Sequence, residues 1–256
     1  MNVKVYGCRG SIPTSRLTPS RYGGNTSCIT LESGGHILIM DAGSGLTQFD
    51  IEMRQKAVNY SNSPAAPLDI LISHLHIDHI IGITAFGPAW NPSAGVRLYT
   101  CLRGEGSLRE QIFGAFVPPY FPSSMVEKAV AECIAIKDKE VFNVGPFTIT
   151  PFDAIHPDST LSFHITDGNA SLVHLLDSET SLMNEQDYAE LVDFCRDADI
   201  VIFDAAYAPE DYPEKKDFGH STIEDGFKLA EFSKCKRMMF SRHNCLSVAT
   251  EVQGIL

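Results

Sequence analysis

The segment SHLHIDHIIG, residues 73 to 82, carries His74, His76, Asp78 and His79 within six positions. It closes the short apolar run Asp69 to Ser73, which reads as a buried strand. His74 and His76 lie two apart at the end of that strand, and the two-residue period of extended chain puts both imidazoles on one side, able to grip one cation together. Asp78 and His79 follow where the chain turns toward a helix, which redirects their side chains and offers one oxygen and one nitrogen to a second cation. Chance explains such a cluster poorly, because buried polar side chains need partners. Two cations need further ligands and a carboxylate to bridge them. The right types stand at the ends of predicted strands: His156 after TITPFDAI, Asp177 after SLVHLL and His243 after RMMF.

Those strands belong to a regular order. Val3 to Tyr6, Ser27 to Leu31 and His36 to Met40 read as strands, the last two joined at Ser33-Gly34-Gly35 in a hairpin. A helix is predicted from about Leu46 to the loop SNSPAAP, followed by the histidine-bearing strand and another at Val96 to Cys101. Strands at Val141 to Asn143, Phe147 to Phe152, Leu161 to Thr166 and Ser171 to Leu175 form a second antiparallel group. A helix at about Asn184 to Cys195 and a strand at Asp199 to Phe203 come next. Ser221 and Glu224 have the spacing of a capping box, which predicts a helix from Thr222 to about Phe232 before the last strand, Arg237 to Phe240. Residues 103 to 135, with VPPYFP at 117 to 122, resist assignment; they are a candidate pocket wall, lid or subunit interface, which leaves a homodimer open. No Pro/Gly/Ser-rich linker divides the two halves. The expectation is one α/β domain over residues 1 to 256, a four-layer αββα sandwich.

Composition narrows the class. Hydrophobic residues at 44% and charged residues at 20% suit a folded globular protein. The opening MNVKVYGCRGS lacks the apolar core of a signal peptide, and no window approaches the roughly 18 uninterrupted apolar residues of a membrane span, so a soluble, cytoplasmic protein with no membrane partner is expected. The net charge of −12 argues against a broad nucleic-acid-binding face, which works by neutralising phosphates. Seven scattered cysteines without a C-x-x-C pair read as buried free thiols rather than a zinc or disulfide framework.

The order H-x-H-x-D-H, a separate histidine, an aspartate and a final histidine, spread from residue 74 to 243, resembles the metallo-β-lactamase superfamily. The pieces GCRGSIPT, RYGGNTSC, MDAGSG, FDAAY and GHST are similar to its phosphodiesterase-type branch, which includes ribonuclease Z and the cyclic phosphodiesterase of the phosphonate pathway, and the likeness covers nearly the whole chain. The resemblance implies one metal held by His74, His76 and His156, another by Asp78, His79 and His243, and Asp177 bridging them. A water between the ions is the implied nucleophile, because two cations lower its pKa and stabilise attacking and leaving oxygens. Zinc is the default for such ligands, and manganese or iron can occupy the same set. Asp41 looks like the family's early aspartate and, with Asp204 of FDAAY, is implied to orient ligand histidines; a plain turn carboxylate before Gly43 is the alternative for Asp41. His220 in GHST resembles the family's non-ligand histidine, which contacts the scissile phosphate and protonates the leaving oxygen, with Asp78 beside it in the catalytic group. The competing view of His220 is a solvent-facing histidine beside a helix cap. Arg9, Arg21 and Asn25 lie in Gly-rich loops that resemble the family's N-terminal active-site loops, where guanidinium groups suit phosphate oxygens; otherwise they are ordinary surface residues. His36, His164 and His174 read as structural. One departure stands out: the family often has two histidines near the final ligand, whereas this chain reads SRHN, with Arg242 and then His243.

Within that resemblance the residues favour a small phosphodiester, such as a cyclic nucleotide or cyclic sugar phosphate. A secreted β-lactamase needs a signal peptide and usually has Cys where Asp177 stands. Diiron oxygen or nitric-oxide reductases tend to carry Glu at the place of His76. Glyoxalase II adds a helical domain, and too few residues follow His243 to build one. The protruding arm by which ribonuclease Z holds transfer RNA has no room between His156 and Asp177, and the acidic charge also disfavours that substrate. A hydrolase of thioesters or lactones on the same fold, or a non-catalytic scaffold that keeps a metal for stability, are the alternatives.

Overall fold

A computed structural model describes residues 1–15, 22–56, 67–121 and 129–242. In the first sheet, β1 (Asn2–Gly7), β2 (Cys28–Ser33) and β3 (His36–Met40) pair antiparallel, and β4 (Asp69–Leu71), β5 (Arg97–Thr100) and β6 (Glu132–Ala135) continue it in parallel. In the second, β7 (Phe142–Val144), β8 (Phe147–Ala154), β9 (Thr160–Thr166) and β10 (Ser171–Leu175) are antiparallel neighbours, and β11 (Ile200–Asp204) and β12 (Met238–Ser241) follow in parallel. Parallel neighbours need a crossover. Helices lie in these: α1 (Gly45–Gln55) before β4, the single turn α2 (Ile77–Ile80) before β5, α3 (Leu108–Phe113) before β6, α4 (Glu185–Phe194) before β11 and α5 (Ile223–Ser233) before β12.

The period of two along each strand decides which side chain enters which layer. In β3, Leu38 and Met40 point between the sheets toward Phe147, Phe163 and Leu172, while Ile39 points outward to Leu46 and Phe49 of α1. In the second sheet Val173, Val201 and Phe203 face outward onto Leu191 of α4 and Leu229 of α5. The result is the expected αββα order. Each fully buried Leu or Phe contributes roughly 1.5–3 kcal/mol, so the middle layer locks the two sheets in register and with them the positions of the strand ends.

One reading is corrected, and part of the unassigned stretch takes shape. The capping box sits one residue later than expected: Thr222 caps α5 and Asp225 closes the box, while Ser221 is drawn inward to donate to the Ser178 carbonyl at 2.6 Å. Within the unassigned stretch, Ser107 and Glu110 form a capping box at the start of α3, and Glu132–Ala135 is the sheet's sixth strand; both lacked a readable period because the helix is short and the strand lies at an edge. In the described part of that stretch Phe113 and Phe116 join the buried cluster that includes Leu46 and Phe49 of α1. No helix among the described residues is long and apolar enough to cross a membrane.

Candidate metal centre

The chemistry-bearing residues collect beyond the carboxyl ends of strands from both sheets, where loops are free of the ladder and can turn side chains inward. Asp41 follows β3, His74 and His76 follow β4, His156 follows β8, Asp177 follows β10, Asp204 ends β11 and Arg242 follows β12. Parallel pairing sets their level: Met40 lies opposite Leu71, and Asp204 opposite Ser241. Asp41, Asp177 and Arg242, together with Ser11 in the N-terminal loop, adopt positive φ of 58°, 52°, 64° and 64°. Such conformations are costly for residues with a Cβ, and they persist where surrounding contacts over-determine them.

His74, His76 and His156 come together, with ligand atoms mutually within 4.8 Å. Hydrogen bonding on the outer side of each ring determines which nitrogen is bare. Ser73 Oγ donates to Asp41 Oδ1 at 2.9 Å, so at 3.1 Å it can only accept from His74 Nδ1. His76 Nε2 donates to Asp158 Oδ2 at 2.7 Å, and His156 Nδ1 donates to the Gly219 carbonyl at 3.0 Å. The bare atoms are therefore His74 Nε2, His76 Nδ1 and His156 Nε2. His74 Nε2 is buried without a hydrogen-bond partner, and His76 Nδ1 lies 3.3 Å from His156 Nε2. Burial holds His74 well below the ordinary imidazole range and lowers His156 too, keeping both neutral. Three converging lone pairs, each held by a partner on the opposite ring nitrogen, fit a divalent cation. Asp177 belongs with them, because its carboxylate groups with His74 and His79 and also with His156 and His220.

A second group lies beside the first. His79 Nδ1 donates to Asp41 Oδ2 at 2.8 Å, and its Nε2 is 3.0 Å from Asp177 Oδ2 and 3.5 Å from Asp78 Oδ2. Between these acceptors lies the Arg242 guanidinium: Nη1 bonds Asp78 Oδ2 and approaches His79 Nε2 at 3.0 Å, and Nη2 is 2.7 Å from Asp177 Oδ1. Burial works against charge on His79, but Asp41 and Asp177 outweigh it and raise its proton affinity to about 10. Arg242 opposes this, since a guanidinium has no lone pair and needs an unprotonated Nε2 as acceptor. Burial likewise works against the Asp177 carboxylate, yet Arg242 first, then His79, hold it well below the usual range. A fixed cation thus spans Asp78 and His79, two of the three residues expected to hold a second ion. His243 itself lies outside the described residues.

His220 stands at the rim, with Nδ1 2.7 Å from Asp204 Oδ2 and 3.4 Å from Asp177 Oδ1. Burial disfavours its charge, but Asp204 more than compensates and its proton affinity is raised. Asp204 therefore holds His220 rather than a ring of the three-histidine cluster. Asp41, fully buried, accepts from Ser27 Oγ, Ser73 N and Oγ, and His79 Nδ1.

Arg9 is 1% exposed and donates from Nε to the Gly23 carbonyl, and Asn25 donates to the Tyr6 carbonyl and accepts from Ser44 Oγ. Arg21 lies outside the described residues. Of the three histidines read as structural, His36 pairs with Asp69 at 3.0 Å, His164 packs edge-on against Phe194, and His174 lies behind Asp41.

Several site residues escaped the sequence reading. Asp158 bonds His76, and Glu179, wholly buried, accepts from Gly219 N, Asp217 N and the Tyr212 hydroxyl, fixing the loop that carries His220. Gly219 has φ +86°, and a Cβ there would lie 2.0 Å from His156 Nδ1, so only glycine lets its carbonyl hold that ring. Two cavities adjoin the centre. One of about 440 Å³ is lined by the carboxylates Asp138, Asp153, Asp187 and Glu190 against the single cation Lys139, and meets the centre at His156. The other, about 240 Å³, carries Lys215, Tyr207, His220 and Arg242. Only the smaller has the charge to receive an anion.

The family model for the beta-lactamase superfamily domain matches residues 36–241. The chain is 29% identical over 213 residues to the probable metallo-hydrolase YhfI of Bacillus subtilis, covering 82% of this chain and 75% of that protein. It is 26% identical over 153 residues to a ribonuclease Z of Clostridium acetobutylicum, covering 56% of this chain and 44% of the relative. In structure it is similar to the metallo-beta-lactamase fold protein YhfI from Bacillus subtilis, with a TM-score of 0.69, 21% identity and coverage of 97% and 88% of the two chains. A diphosphatase from the PhnP family superposes with a TM-score of 0.66 at 16% identity, covering 95% and 86%. Histidines that converge from separate strand ends of an αββα sandwich, in the segment that the family model spans, establish that this chain belongs to the metallo-β-lactamase superfamily.

Proposed function

We propose that this protein is a metal-dependent hydrolase acting on a small phosphodiester, with a divalent cation at His74, His76, His156 and Asp177. The observation that carries the reading is the adjacency of three bare imidazole nitrogens to the His220–Asp204 pair at a cleft that also bears Lys215 and Arg242. A cation bound there, zinc by ligand type with manganese or iron as substitutes, supplies polarisation of a phosphoryl oxygen and a nucleophile at neutral pH. The chain's own residues do the rest. Lys215, whose ammonium sits 5.0 Å from the centre of the Tyr207 ring, attracts the anionic substrate into the cleft. His220 keeps Nδ1–H on Asp204 and directs its second nitrogen at the leaving oxygen, and its raised proton affinity suits it to give up a proton there. Relatives named ribonuclease Z and diphosphatase support a phosphate linkage as the target. The net charge of −12 and the short interval from His156 to Asp177, filled by β9 and β10, favour a small ester over transfer RNA. A cytoplasmic location suits the described cysteines, none of which is in a disulfide.

The test is a screen of metal-stripped and metal-reloaded protein against an aryl phosphodiester, a cyclic nucleotide, a thioester and a lactone. Phosphodiester cleavage that appears only on reloading supports the reading. Cleavage of the thioester or lactone alone moves the protein to another branch, and metal uptake without turnover on any of them makes it a scaffold.

A further inference from the structure

We infer that Arg242 takes the place of a second metal ion, so that this protein works with one divalent cation and one built-in organic cation. The inference rests on the reading of His74, His76 and His156 as cation ligands. Asp78 Oδ2 and His79 Nε2, from the single turn α2, and Asp177 Oδ1, from the loop after β10, are two carboxylate oxygens and an imidazole nitrogen, a donor set suited to a small divalent cation. All three are instead directed at one guanidinium. Its planar fork of N–H groups reaches them together, and it stays charged at any working pH. An ion at the same donors would have to displace Nη1 from between Asp78 and His79.

The surroundings are fitted to the arginine. Its side chain is 4% exposed, and its own backbone N–H bonds the Cys8 carbonyl at 3.0 Å, tying the strand end to the N-terminal loop. That loop lies over the guanidinium at Gly10, where a Cβ would stand 3.3 Å from Arg242 Cζ. The next residue, Ser11, donates its backbone N–H to Asp78 Oδ2 at 2.9 Å, so the oxygen facing Arg242 is already shared with a second donor. Arg242 also lines the smaller cleft beside His220, so its charge acts where the substrate's phosphate is proposed to lie. A guanidinium stabilises charge but generates no nucleophile. The division of labour is then one cation that activates and a fixed one that only attracts and stabilises. Chelators can strip the first and never the second.

The experiment counts ions without reference to any substrate. Metal-stripped full-length protein is reloaded with excess Zn²⁺, desalted, and its metal-to-protein ratio measured, with Co²⁺ loading followed by electron paramagnetic resonance. The expected result is about one ion per chain and an isolated-ion spectrum for the wild type, and about two ions with an exchange-coupled spectrum for Arg242→His, the second lost again when Asp78→Ala is added. A wild-type protein that holds two ions overturns the proposal, and a drop to one in His243→Ala identifies His243 as the ligand that displaces the arginine. Retention of one ion per chain in Arg242→His also counts against it. A wild type that takes up no ion overturns the reading of the histidine cluster, and the Arg242 proposal with it. Should Arg242→His fail to fold, the wild-type count and spectrum decide alone.

Discussion

Replacement of His220 by Ala tests whether the His220–Asp204 pair does chemistry. Nδ1 of His220 lies 2.7 Å from the buried Asp204 Oδ2, and the ring contacts Tyr207 edge-on at 5.5 Å, so its orientation is held from two sides. Its outer hydrogen bonds do not hold the rings of His74, His76 or His156, so the variant should keep its metal. Loss of a positioned general acid slows turnover by about 10²- to 10⁴-fold, equivalent to roughly 3–5 kcal/mol at the transition state. The deficit should depend on the leaving group. Nitrophenolate departs readily without a proton and belongs near the lower figure, while an alkoxide needs the proton and belongs near the upper. The pH profile supplies a second readout. Burial alone would lower His220's proton affinity, and Asp204 raises it; a general acid is active while protonated, so Asp204→Asn should move the alkaline limb of kcat to lower pH. The assay is kcat on matched aryl and alkyl phosphodiesters, with metal content measured on the same samples. Equal losses on both substrates, an unmoved alkaline limb in Asp204→Asn, or unchanged turnover would each remove His220 from the role of proton donor.

Two further substitutions probe positioning and stability. Asp158→Ala frees His76 Nε2 from its 2.7 Å partner, and loss of such an outer hydrogen bond lowers metal affinity by about 10- to 100-fold; because Asp158 is half exposed the lower figure is expected, read by competition with a chelator, and an unchanged affinity would make the contact incidental. Asp41→Ala removes four hydrogen bonds from a fully buried site and should cost about 3–5 kcal/mol in denaturant unfolding at pH 7, with a loss under about 1 kcal/mol refuting the network's importance. Burial opposes Asp41's charge, but His79 chiefly brings its carboxyl from 3.8 to about 2, so its contribution is complete above the unfolded value and fades as pH falls toward the folded one. The Asp41→Ala protein should therefore show less loss of stability between those two pH values than the wild type.

The histidine run was legible because its information is local. Four polar residues within six positions at the end of an apolar strand have few uses, and the period of two already assigns His74 and His76 to one side. The alternating apolar patterns of β3, β8 and β9 likewise announced a layered sandwich, since each strand's pattern must match the layers on its two faces. Short or edge elements such as α3 and β6 carried too little periodic signal to be seen. Hydrogen-bond partners were legible only in folded form. Asp158 meets His76 across 82 positions of chain, and Glu179 braces Gly219 across 40. Nothing in the types of those residues distinguishes them from surface carboxylates. Arg242 is the sharpest case. Its presence beside His243 was visible as a departure in SRHN, but its reach to Asp78, 164 positions away, depends on how β12 aligns with β11 and on a loop folded over Gly10. Sequence determines which donors are available at strand ends; the packing of two sheets decides which of them share a cation, and here it turns an arginine into their common partner.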